Sequence, residues 1–185
     1  LSYFLWKSMP DEHLLELAGQ GKLKGSSVLK EQTERMLSDY RAQRFVHSFI
    51  DQWLELEDIN LTFPDSKLYP EFNDWVLDSM ARETYSFFEK MIQDDLSSSH
   101  LVDSNFLMLN QRLAELYEIE GVSGDKIRPV KIPSDSICGG LLTQASILKI
   151  TANGTSTSPV IRGAWVTENI MGMHIPPPPP NAGSV

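Results

Sequence analysis

Cysteine is nearly missing from this chain: Cys138 is the single thiol among 185 residues. One thiol excludes an internal disulfide framework, a cysteine-rich zinc site and the paired thiols of a CxxCH haem attachment. Long apolar runs are missing too. Nothing approaches the roughly 18 consecutive apolar residues of a membrane-spanning helix, and no basic segment followed by an apolar core marks a secretory leader near Leu1. Basic residues are few. Lys and Arg number 16 against 25 Asp and Glu, a formal net charge of −9. That balance argues against nucleic acid or an anionic membrane as a partner, since both demand a basic face.

What is present is an ordinary globular mixture, 41% apolar and 22% charged. A chain of this length buries about 70% of its unfolded surface, so neither metal nor disulfide is needed to hold a core. Both ends read as cuts through a longer protein. Leu1 is no initiator, and LSYFLWKSMP already resembles amphipathic protein interior. Five prolines, Pro176 to Pro180, form a stiff polyproline spacer that leads only to Asn-Ala-Gly-Ser-Val. The expectation is a parent chain continuing on both sides.

Helical periodicity runs nearly throughout. Ser8 or Met9 followed by Pro10 and two acids reads as a helix start. A second helix is expected over residues 27–37. Phe45, Val46, Phe49, Ile50, Trp53 and Leu54 form a wide stripe within a helix over 41–56. The segment 57–69 reads as a loop. Pro70 is expected to open the longest helix, to Asp94, with Phe72, Val76, Met80, Phe87 and Met91 on its core face. Short helices follow near Leu101 and over 111–117. The alternating segment 128–133 holds two prolines and reads at most as a short edge strand. A further short helix is expected to end at Leu148. Ser158 caps a helix that opens at Pro159 and closes at Gly172. The fold class is all-α, an irregular multi-helix bundle with minor extended segments and a polyproline tail.

Few residues carry chemistry. Glu83 projects toward the apolar face of the longest helix, where a carboxylate must be paired or have a raised pKa. It reads as a general acid or metal ligand, or, as the favoured alternative, as half of a structural ion pair. Arg162, one turn into the Pro159 helix, is the natural partner, and the pair would tie the segment after Cys138 to the part of the chain before it. The polar stretch 151–158 ends at a helix start, so Thr157 and Ser158 form a candidate anion-binding loop, with turn capping as the favoured reading. His13, His47, His100 and His174 have no metal-ligand spacing. Cys138 has no nearby histidine, and Ser136, Ser146 and Ser158 lie in no GxSxG elbow. Trp6, Trp53, Trp75 and Trp165 could build an exposed aromatic platform for a polysaccharide or envelope partner, but most lie on helical stripes and read as core.

The segments LSYFLWKSMPDEHLLELA, FIDQWLEL, FNDWVLDSMARETYSFFEKMI, GGLLTQASILKIT and TSPVIRGAWVTENIMGMHIPPPPP resemble a planctomycete-type two-module family of unknown function. Its members occur in large exported proteins that also carry c-type cytochrome domains. The resemblance implies one helical module over residues 1–133, a second over 134–175 packed on the first, and a linker over 176–185 toward a module absent here. It implies haem c in that flanking module and none in this chain, an exported or periplasmic setting, and the flanking cytochrome domains as partners. The family often has Arg where Cys138 stands, Asn-Pro-x-Arg where residues 153–156 stand, and a basic residue at Ile161. Those lost cations weaken the anion-site reading. Two functional classes follow. One is a non-catalytic scaffold that positions cytochrome domains for electron transfer. The other is a substrate-binding or catalytic module of a periplasmic oxidoreductase or polysaccharide-processing protein.

Overall fold

Apolar periodicity in this chain is spent almost entirely on helices. A computed structural model describes residues 1–133 and 136–176. Apart from Pro176, the expected polyproline tail over 176–185 lies outside the described residues. Helices α1 (Ser2–Leu5), α2 (Glu12–Gly19), α3 (Ser26–Leu37) and α4 (Gln43–Leu54) lead to the longest, α5 (Asp74–Gln93). Strand β1 (Phe106–Leu109), helix α6 (Gln111–Leu116) and strand β2 (Arg128–Lys131) follow. Helices α7 (Ala145–Ile150) and α8 (Pro159–Trp165) complete the described order. The class is mainly α, and none of these helices is long and apolar enough to cross a membrane.

The caps explain where helices begin. The α2 start falls at Asp11, not Ser8 or Met9, because the Asp11 carboxylate accepts from Leu14 N at 3.0 Å. The α5 start is likewise later than Pro70. Asn73 accepts from Trp75 N and Val76 N at 3.0 and 3.1 Å, satisfying two amides that a proline at position 70 leaves untouched. Ser158 caps α8 as expected, accepting from Ile161 N at 3.3 Å. The α8 helix then widens into a π-helical turn over Val166–Ile170 instead of running on regularly to Met171.

Strands β1 and β2 pair antiparallel, with Phe106 opposite Lys131 and Leu109 opposite Arg128. The β2 strand is the one the alternating segment foretold. The β1 strand has no alternation to read, since all four of its residues are buried.

Two clusters make the main core. Val46, Ile50 and Leu54 of α4 meet Phe87 and Phe88 of α5, Phe106, Leu141, Ile147 and Trp165. Leu77 and Met80 of α5 meet Leu107, Leu109, Leu113 and Ala145. Residues from beyond position 140 therefore sit inside the same core as the long helices. Leu142 and Val160 do not join it; they are 42% and 82% exposed. Trp75 also faces solvent, beside the Arg112 guanidinium at 5.6 Å. A third cluster of Leu5, Trp6, Leu14 and Met36 closes the amino-terminal end. There the Trp6 indole N–H donates to Met36 O at 2.9 Å, and the Arg41 guanidinium lies 3.4 Å from the Trp6 ring centre.

Candidate functional site

Glu83 lies on α5, fully buried. Its partners are not cations. Tyr117, just past the end of α6, donates its hydroxyl to the two carboxylate oxygens at 2.9 and 2.8 Å. The first amide of α7, Ala145 N, lies 3.3 Å from Glu83 Oε2 and 2.6 Å from the Tyr117 hydroxyl. Burial pushes the Glu83 carboxyl up to about 8, against the opposing pull of the hydrogen bonds from Tyr117 and Ala145. Near neutral pH the group is therefore mostly protonated, which lowers the cost of keeping it out of water. The Tyr117 hydroxyl is driven well above its ordinary value, by burial first and then by the adjacent carboxylate.

The next residue of α5, Thr84, hydrogen-bonds both Gln144 Oε1 and Ser146 Oγ at 2.6 Å. All three side chains are buried. At the far end of α7 the buried Lys149 donates its ammonium to two backbone carbonyls, Ile59 O and, at 2.7 Å, Thr62 O. Burial lowers its pKa. Helix α7 is thus stitched to the rest of the chain at both ends by buried polar side chains.

The expected Glu83–Arg162 pair does not form. The Arg162 Nε and Nη2 donate to Thr151 Oγ1 at 3.1 Å and Thr157 Oγ1 at 2.8 Å. The desolvation of Glu83 is met by a phenol, an amide and its own proton, so it needs no cation. The anion-binding loop also changes meaning. The Ser158 hydroxyl is spent as the α8 cap, and the Thr157 hydroxyl accepts from Arg162. With seven residues, α8 is too short to offer a strong dipole end.

Arg162 instead lines a cavity of about 450 Å³ together with Lys149. Its walls are mostly apolar and include Phe72, Val76, Met80, Leu116 and Leu148. Neither cation is in an ion pair among the described residues. Two hydrogen bonds tie segments that line the cavity to one another. Asp65 N donates to Gly154 O at 2.9 Å, and the Tyr69 hydroxyl donates to Thr155 O at 3.2 Å. Gly154, at φ +88°, approaches so closely that an added Cβ would meet Phe63 O at 2.6 Å. Only glycine fits that crossing.

The remaining candidates scatter. His47 stacks on Tyr85 and contacts Glu89 at 3.1 Å. His174 is exposed, 3.9 Å from Glu168. The buried Nδ1 of His100 has no hydrogen-bond partner among the described residues. Cys138 is half-buried, and burial raises its thiol pKa, the opposite of an activated nucleophile. No three His, Cys, Asp or Glu side chains converge on a metal position among the described residues. Lys149 and Tyr117 escaped the sequence reading. For Lys149 a signal existed, a lone cation inside the apolar run Ile147-Leu148-Lys149-Ile150.

Two family models match the chain. PSD4, protein of unknown function (DUF1592), covers residues 1–119. PSCyt3, protein of unknown function (DUF1588), covers residues 138–185. No curated protein and no solved structure matches.

Proposed function

The chain belongs to the PSD4 family, and from that premise we propose that it is a non-catalytic helical scaffold within a larger exported haem-c-associated protein. In this reading it comprises a module over 1–133, a second over 134–175, and a linker over 176–185 toward a downstream module. Its task is to hold flanking cytochrome domains at a set separation for electron transfer. Haem c belongs to those flanking domains, which are its partners. The name of the second matching family, PSCyt3, supports a cytochrome setting.

The observation that carries the reading is the stitching of α7. At the start of α7, Glu83, Thr84, Tyr117, Gln144 and Ser146 are the polar groups in the best position to do chemistry. Each is instead spent on a neighbouring side chain or a backbone group. Fully satisfied buried networks rigidify a fold, and rigidity is what a spacer between redox centres requires.

The test uses the parent protein. Replacing this chain by a flexible Gly/Ser linker of equal reach should slow electron transfer between the flanking haems while leaving their potentials unchanged. Equal transfer rates in the two proteins would overturn the scaffold. The chain expressed alone with a haem-attachment system should show no covalent Soret band, because a single cysteine cannot form two thioether links.

A further inference from the structure

The cavity lined by Lys149 and Arg162 has no part in the scaffold role. Its volume of about 450 Å³ falls within the roughly 300–1,000 Å³ of pockets that take small ligands. It is prebuilt. Gly154 locks one rim against Phe63 and Pro64, and Asn153 Oδ1 accepts from Thr155 N and Ser156 N at 3.1 and 2.8 Å, which sets the loop. The Arg162 side chain is itself fixed by Thr151 and Thr157. A site assembled before binding spares the ligand the cost of ordering it.

The lining specifies the ligand's chemistry. Phe72, Val76, Met80, Leu116 and Leu148 call for an apolar body. Arg162 spends Nε and one Nη2 hydrogen on hydroxyls, so its Nη1 edge is left for an acceptor. Lys149 gives two of its three hydrogens to carbonyls and lies 5.9 Å from the Phe72 ring centre. Two cations without a carboxylate partner, against the single exposed acid Glu71 in the lining, leave the pocket locally positive in a chain of net charge −9. Glu71 and that overall charge disfavour a polyanion, whereas a single carboxylate matches the guanidinium edge. We propose that this cavity binds a monocarboxylate with a medium-length apolar body, its carboxylate on Arg162 and its body along α5.

Decanoate, kept below its micelle concentration, is the direct probe, titrated calorimetrically into the whole chain. It should bind one-to-one and about 10–100-fold tighter than 1-decanol, the ratio expected of a charge-assisted hydrogen bond. Acetate, with the same head and no body, should show no measurable binding. Arg162→Met should bring decanoate down to the affinity of decanol. Val76→Trp, which fills the apolar wall without touching either cation, should abolish binding of both while the thermal transition persists, so the test survives if the Arg162 variant fails to fold. Absence of decanoate binding to the unmodified chain would overturn the proposal. Equal affinity for decanoate and decanol would do the same, as would full binding by a folded Val76→Trp chain. None of these outcomes bears on transfer between flanking haems, so the ligand site and the scaffold stand or fall separately.

Discussion

The two ends of helix α7 handle buried polarity in opposite ways. At its start, Ala145 N, Gln144 and Ser146 close a network with Glu83, Thr84 and Tyr117 in which polar groups answer one another. At its end, Lys149 anchors to two carbonyls but remains beside an open apolar cavity, with Arg162 nearby in the lining. Six residues of one helix thus separate a closed polar network from a site with donors to spare. A buried acid is a weak sign of function when a phenol and an amide already meet it. A fixed cation facing empty apolar space is a stronger one.

The most severe way to break this comparison is to remove everything α7 is stitched to. Residues 134–175 expressed alone should give no cooperative thermal transition, because Leu141, Ile147 and Trp165 bury against Val46, Ile50 and Phe87 from outside the segment. A sharp transition from the isolated segment would show that its core is its own.

Next in size is the far end of the helix. Lys149→Met should leave the Ile59 and Thr62 carbonyls without their donor and cost about 2–4 kcal/mol, read by denaturant unfolding. A loss below about 1 kcal/mol would mean that water replaces the ammonium freely.

The near end should show itself in pH dependence. The folded chain keeps a proton on Glu83 up to about pH 8, whereas the unfolded chain releases it near 4.5. Stability from this group is therefore fully present at low pH and falls by about 1.4 kcal/mol per pH unit between those values, after which the slope ends. Glu83→Gln should flatten that slope, whatever it does to the absolute stability. An unchanged slope would assign the titration to another group.

The smallest effect is expected between the two sites. Arg162→Met should cost only about 1 kcal/mol, the worth of two partly exposed hydrogen bonds to hydroxyls. Combined with Glu83→Gln it should be additive to within about 0.5 kcal/mol. Strong coupling in that cycle would restore the direct pairing that the hydrogen bonds of the two residues contradict.

Much of the helical order was legible because the signals are local. The stripe of Val46, Ile50 and Leu54 on α4, the Ser158–Pro159 start of α8, and the burial of Glu83 all follow from spacing and capping within one segment. The strand β1 was not legible, since Phe106-Leu107-Met108-Leu109 is apolar at every position and so carries no period. The exposure of Leu142 and Val160 was equally invisible, because each sits in an apolar neighbourhood that a solvent-facing side chain interrupts.

The sequence by itself determined the mainly helical class, the exclusion of an internal disulfide and of a CxxCH haem attachment, and the fact that position 83 must solve a desolvation problem. Those are properties of composition and of one helix's wheel. Only the tertiary structure decided how position 83 solves it, because Tyr117 and Ala145 lie 34 and 62 residues away along the chain. It also decided that Lys149 and Arg162 share a cavity. Sequence period tells which way a side chain leaves its own helix, but the empty space it meets is made by other segments folding around it.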